Sequence, residues 1–113
     1  MDMDAAEAVR AKAEEPIAIF NGSGSGPFVI TCDHASNFVP SAFGGLGLKA
    51  ADLLRHIAWD PGAIGVAKEM SRSLGAPLVC GAVSRLVIDC NRPLDAPDVI
   101  GELSEATVIP GNA

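Results

Sequence analysis

The chain has 113 residues, a net charge of −6 and a pI near 4.6, which limits it to one small domain and argues against nucleic acid or an anionic membrane surface as partner. An apolar fraction of 49% and a mean hydropathy of +0.31 exclude general disorder. No apolar run reaches the roughly 18 residues of a membrane-spanning helix, and Asp2, Asp4, Glu7, Glu14 and Glu15 leave no apolar stretch for a secretory signal, so the expected compartment is the cytoplasm.

Residues 1–15 form an Ala- and Glu-rich segment whose only apolar stripe is alanine, expected to be a flexible or peripheral helical tail ending before Pro16. The domain proper is expected to run over residues 16–113. Ile17-Ala18-Ile19-Phe20 and Pro27-Phe28-Val29-Ile30-Thr31-Cys32 flank a Gly/Ser/Asn turn and read as a β-hairpin. The glycine run is no phosphate loop, because no Lys-Ser/Thr follows it. After a loop rich in glycine, residues 49–59 read as a short helix with Leu53, Leu54, Ile57 and Ala58 on one face and Asp52, Arg55 and His56 on the other. Asp60-Pro61 reads as the cap and first turn of a second helix. Its buried stripe would be Ala63, Ala67, Met70 and Leu74, and Gly75 its stop.

Residues 77–83 and 86–90 are continuous apolar runs, the pattern of strands covered on both faces. Residues 91–113, with Pro93, Pro97 and Pro110, read as a long excursion across the surface. The fold class expected from this order is α/β, a mixed sheet with flanking helices. Cys32, Cys80 and Cys90 form no metal or disulfide pattern and are expected to pack as small hydrophobes.

Ligands of open α/β sheets bind beyond the carboxyl ends of strands. Two polar clusters fall there: Asp33-His34-Ala35-Ser36-Asn37, and Asn91-Arg92-Pro93 with Arg85 a little upstream. Loops on a rigid scaffold also collect such residues for turn-making reasons, so both a site and a set of turns are open on spacing alone. Asp89, inside an apolar run, must be paired, with Arg85 or Arg92 as the expected partner. His56 reads as solvent-exposed or linked to Asp52, and Glu105 as an exposed loop residue or a carboxylate of the site.

Cys32-Asp33-His34-Ala35-Ser36-Asn37-Phe38-Val39-Pro40, Arg55-His56-Ile57-Ala58-Trp59-Asp60, Ser84-Arg85-Leu86-Val87-Ile88-Asp89-Cys90-Asn91-Arg92-Pro93 and Ser104-Glu105-Ala106-Thr107-Val108-Ile109-Pro110-Gly111-Asn112 occur in this order. Together they resemble the amino-terminal part of the N-formylglutamate amidohydrolase (N-formylglutamate deformylase) family. The resemblance implies a zinc-dependent exopeptidase-like (phosphorylase/hydrolase-like) fold, here cut short, because members are substantially longer. It implies a histidine-degradation-type amidohydrolase that cleaves the N-formyl or N-acyl amide of glutamate or a similar acidic amino acid.

By the same resemblance His34 is a zinc ligand, with Asn37 standing where relatives of the wider fold place a glutamate, and Asp60 or Asp33 able to supply the missing charge. Asn91 and Arg92 would bind the substrate carboxylate, and Arg85 would polarise the scissile carbonyl. Zn2+ would activate the water and stabilise the oxyanion. A second His ligand and a general base lie further along in the related folds, so the alternative is a non-catalytic remnant that binds a small carboxylate or a protein partner. A sheet cut short would also expose an edge through which the chain could self-associate.

Overall fold

The computed structural model describes residues 8–113. Its centre is a three-stranded mixed sheet of β1 (Ile17–Phe20), β2 (Ile30–Cys32) and β3 (Leu78–Gly81), in the order β1-β3-β2. Strand β3 runs antiparallel to β1, with Ile17 opposite Gly81, and parallel to β2, with Cys32 opposite Cys80. Alternation fits this central place: Leu78 and Cys80 are fully buried, whereas Val79 and Gly81 are half-buried on the other face. The expected α/β class with a mixed sheet is therefore what forms.

The expected hairpin between β1 and β2 does not form, because β3 lies between them. The intervening glycines are used elsewhere. The amide of Gly26 donates to the Gly75 carbonyl (3.0 Å) and that of Ile30 to the Pro77 carbonyl (2.9 Å), stitching the loop to the entry of β3. A Cβ on Gly24 would lie 2.6 Å from the Gly75 carbonyl oxygen, so only glycine permits this approach.

Residues 86–90 are not a strand either. Both sides of β3 are already paired, and Ser84 turns the chain away. Its hydroxyl donates to the Ala58 carbonyl (2.7 Å) and accepts from the Leu86 amide (3.2 Å), while the Val87 amide bonds the Ser84 carbonyl (3.0 Å).

Of the helix expected over 49–59, only α1 (Ala50–Leu53) is helical. Ile57, Ala58 and Trp59 are three consecutive buried residues, and a helix cannot turn three consecutive side chains to one face. Successive turns can. The second helix, α2 (Ala63–Leu74), begins after Gly62 in a left-handed conformation (φ 87°) with no side-chain cap. Asp60 thus offers only its backbone carbonyl to Ala63 (3.1 Å), and its carboxylate is free for other work.

The buried stripe of α2 is Ile64, Ala67 and Ser71 rather than the Ala63, Ala67, Met70 and Leu74 expected; Met70 and Leu74 are 45% and 44% exposed. The stripe turns to bury Ile64, which has more apolar surface than Ala63. Gly75 ends the helix at φ 60°, as expected.

Two small cores result. Val9, Cys32, Ala35, Ile64, Ala67, Leu78, Cys80 and Ala82 fill the space between α2 and the sheet. Leu46, Ile57, Ala58, Trp59, Leu86 and Ile109 form the other. Cys32 and Cys80 pack as expected, but Cys90 is exposed, its thiol 3.6 Å from the Asp33 carbonyl.

Of the segment expected as a tail, residues 1–7, with Asp2, Asp4 and Glu7, lie outside the described residues. Within the rest, Val9 is buried and its amide bonds the Ala35 carbonyl (3.0 Å), and Lys12–Glu14 is a 3-10 turn. The excursion over 91–113 contains a two-stranded hairpin, β4 (Leu103–Ser104) and β5 (Thr107–Val108), and returns Ile109 to the second core.

The register of α2 is open to a direct check. Ile64→Ala is expected to destabilise the fold by about 2–4 kcal/mol, and Met70→Ala by no more than about 0.5 kcal/mol. Urea midpoints of the two variants decide it, and equal losses would restore the sequence-based stripe.

Candidate active site

Because β2 and β3 are parallel, their carboxyl ends open at the same edge of the sheet, and the polar segments that follow them meet there. The approach is close: a Cβ on Gly81 would collide with the Asp33 carbonyl. His34 is the first side chain past β2 to turn inward, and it is 8% exposed. Its backbone carbonyl accepts from the Asp60 amide (2.9 Å), which fastens the loop to the entry of α2.

Both ring nitrogens of His34 face carboxylates. Nδ1 lies 3.2 Å from Asp60 Oδ2 and Nε2 lies 2.7 Å from Asp89 Oδ1. A proton on each nitrogen, as in an imidazolium, gives both carboxylates a donor. Arg85 closes the ring on the far side, with Nη1 donating to Asp60 Oδ1 (3.0 Å) and Nη2 lying 3.7 Å from Asp89 Oδ2. Asp89 also accepts the Asn91 amide on Oδ1 (3.0 Å). Arg92 extends the cluster outward, its Nε 3.6 Å from Asp89 Oδ2 and 3.3 Å from Asp98 Oδ2.

Asp89 is 6% exposed, and burial is the largest single influence on its carboxyl, pushing its pKa up. The hydrogen bonds from His34 and from the Asn91 amide, with the charges of His34 and Arg85, outweigh that and hold it below the usual carboxylate range. By contrast, burial raises the Cys80 thiol to about 11, with Cys32 adding to the rise, so Cys80 is a packing residue and no nucleophile.

His34, Asp60, Arg85 and Arg92 are thus drawn together from four separate stretches of chain. Asn37 is not among their partners: its amide Nδ2 donates to the Leu53 carbonyl (2.7 Å), and its Oδ1 is buried without a partner. Asn91 contributes its backbone, while its side chain is exposed and makes no hydrogen bond among the described residues. Asp89 proves to be the hub; the expected pairing with Arg85 or Arg92 omitted His34, its closest partner. Asp98 was not singled out by sequence, and only its position in a Pro-bounded loop after Arg92 could have suggested it. His56 lies 3.9 Å from Glu105, both well exposed, and Asp52 pairs instead with Arg55 (3.2 Å).

A cleft of about 100 Å3 opens beside the cluster, lined by Arg85, Asp89, Arg92, Asp98, Gly101 and Ser104 among others. It would seat one polar end of a small molecule, since whole-ligand pockets run from roughly 300 Å3 upward. A larger hollow of about 410 Å3 follows β1 but is lined by none of the cluster. Among the described residues, no group of three His, Cys, Asp or Glu side chains could hold a metal ion. No helix of the described residues is long and apolar enough to cross a membrane.

An imidazole, three carboxylates and two guanidinium groups gather beside the carboxyl ends of parallel strands in an α/β protein. The sequence profile of the N-formylglutamate amidohydrolase family matches residues 26–113, and the chain belongs to that family. It is similar in structure to a gene product of Agrobacterium tumefaciens known from its crystal structure, with a TM-score of 0.84 and 43% identity over 87% of this chain. The chain spans 39% of that protein's length. Among curated proteins none matches.

The depressed Asp89 pKa has a sign that can be measured. Stability from its ionised form is fully present above the unfolded value, about 3.9, and is lost as pH falls through the lower folded value. Urea unfolding between about pH 2 and pH 7 is expected to show Asp89→Asn as less stable than the parent near neutrality, with the gap closing below about pH 4. A gap independent of pH would remove the ionic role of Asp89.

Proposed function

We propose that this chain forms the carboxylate-recognising wall of a metal-dependent amidohydrolase that cleaves the N-formyl, or another N-acyl, amide of glutamate or a similar acidic amino acid. The observation that carries the reading is the His34–Asp60–Asp89–Arg85 ring beside an arginine-lined cleft, in a chain of this family.

The donor set fits a divalent metal at one edge. Ligand bonds of about 2.0–2.1 Å at a tetrahedral angle put neighbouring donor atoms about 3.3 Å apart. His34 Nδ1 and Asp60 Oδ2 are 3.2 Å apart, whereas the 2.7 Å between Nε2 and Asp89 is the length of a charge-assisted hydrogen bond. His34 Nδ1 and Asp60 would therefore hold zinc, and Asp89 would fix the ring from its other nitrogen. Asn37, whose Oδ1 is buried without a partner, makes no hydrogen bond with His34 or Asp60 among the described residues. Zinc in that place would supply the Lewis acid and the activated water that formamide hydrolysis needs.

The chain's own residues do the rest of the binding. Arg92, at the cleft mouth, takes a substrate carboxylate in the bidentate geometry that guanidinium offers, with Asn91 beside it. Arg85, 27% exposed and anchored by Asp60 and Asp89, lines the same cleft and polarises the scissile carbonyl. The partner is then a small N-acyl amino acid, handled in the cytoplasm.

A second reading, carboxylate binding without hydrolysis, is favoured by one observation: the described residues offer a single imidazole at the site and no third metal-binding side chain. A catalytic zinc takes three protein ligands. Self-association through the open edge of β1 or β2 is the partner interaction this reading allows.

Calorimetry separates the readings. Zinc is expected to bind the purified chain at micromolar affinity or tighter, and His34→Ala to abolish binding; titration indifferent to His34 sinks the metal reading. In the same instrument, Arg92→Ala is expected to weaken N-formyl-L-glutamate binding by about tenfold or more while leaving the unfolding midpoint unchanged. An unaltered affinity would remove Arg92 from carboxylate recognition.

A further inference from the structure

The two arginines of the cleft are held in opposite ways. Arg85 has its terminal nitrogens on carboxylates, Nη1 on Asp60 and Nη2 toward Asp89. Arg92 is held by its inner nitrogen: Nε lies 3.3 Å from Asp98 Oδ2 and 3.6 Å from Asp89 Oδ2. Its approach to both carboxylates is through this inner edge rather than the terminal fork, and the side chain lines the cleft. Asp89 is a distant partner here, already committed to His34, the Asn91 amide and Arg85. Asp98 is the nearer one.

The loop that carries Asp98 is built to return it to this spot. The Ala96 amide bonds the Pro93 carbonyl (3.0 Å) and the Val99 amide the Ala96 carbonyl (3.2 Å), two successive turns that reverse the chain. The Asp89 amide then bonds the Val99 carbonyl (2.8 Å), pinning the residue after Asp98 to the hub of the cluster. Pro93 and Pro97 narrow the alternatives open to the loop. An ion pair with partners 45% and 58% exposed adds little to stability. Its effect is on where the guanidinium points.

We infer that Asp98 is a positioning residue: it holds the Nε edge of Arg92 so that the Nη1/Nη2 fork is presented to a carboxylate entering the cleft. The inference deepens the proposed function and rests on it for the identity of the ligand. It has a signature that simple electrostatics would reverse. Asp98 is an anion beside an anion site, so removing its charge without a positioning effect would tighten carboxylate binding. Removing a positioning contact loosens it, because the fork must then be ordered at the moment of binding.

The test uses the full chain and its Asp98→Asn, Asp98→Glu and Arg92→Ala variants, titrated with N-formyl-L-glutamate. Asp98→Asn is expected to weaken binding about tenfold, Asp98→Glu to restore most of it, and Asp98→Asn to have no further effect once Arg92 is alanine. Equal or tighter binding by Asp98→Asn overturns the inference. The Arg92 Nε–Hε resonance, assigned by its disappearance in Arg92→Lys, keeps the two propositions apart. It is expected to shift and broaden in Asp98→Asn relative to the parent chain, with or without ligand. A parent that binds no N-formyl-L-glutamate yet shows that resonance change loses the proposed substrate and keeps the positioning role. An unchanged resonance removes the positioning role whatever the ligand does.

Discussion

A buried imidazole clamped between two carboxylates constrains most of what surrounds it. Taking a carboxylate such as Asp89 out of water costs several kcal/mol unless its oxygens are bonded, and the surrounding chain supplies two hydrogen bonds and two nearby guanidinium groups. His34 comes from the end of β2, Arg85 from the turn after β3, the Asn91 amide from the next loop and Arg92 from one residue beyond. Of these, the His34 contact requires β2 and β3 to lie side by side and parallel; the others are made within residues 85–92. The imidazole–carboxylate pair therefore depends on the strand order.

The placement of β3 at the centre follows from the same logic. A hairpin of β1 and β2 would have taken β3 out of the centre of the sheet. The glycines at 24 and 26 prevent that by letting the loop lie against the end of α2, and Ser84 prevents residues 86–90 from extending as a strand. What reads as a fourth strand becomes a turn that carries Leu86 into the second core and Asp89 into the site. Apolar residues at both faces made the run strand-like; the hydroxyl of one serine decided otherwise.

The legible parts of the sequence were those written in local chemistry. Strands β1, β2 and β3 and the end of α2 at Gly75 follow from short-range pattern. Pairing partners did not, because a Gly/Ser loop between two apolar runs says nothing about a third strand some fifty residues away. Helix content at 49–59 is not legible for a similar reason: Ile57, Ala58 and Trp59 suit a helix face one at a time but are buried together. Asp60 shows the limit most sharply. Asp-Pro before a helix is a cap by local rules, yet Gly62 takes the capping place and the carboxylate is drawn to His34 and Arg85, partners 26 and 25 residues distant.

The charges of the cluster bear on how an acidic chain could hold an acidic ligand. Asp60, Asp89 and Asp98 oppose Arg85 and Arg92, so the carboxylates outnumber the guanidinium groups, and even an imidazolium at His34 only brings the set to neutrality. No surplus positive field is left to attract an anion. Recognition must then come from direction, a guanidinium approached by carboxylates at its inner edge, and that is the arrangement at Arg92. Under the proposed function a divalent ion between His34 and Asp60 would turn the balance positive at the place where the oxyanion develops. The excess of carboxylates that makes the chain a poor anion binder by net charge is what such an ion would require.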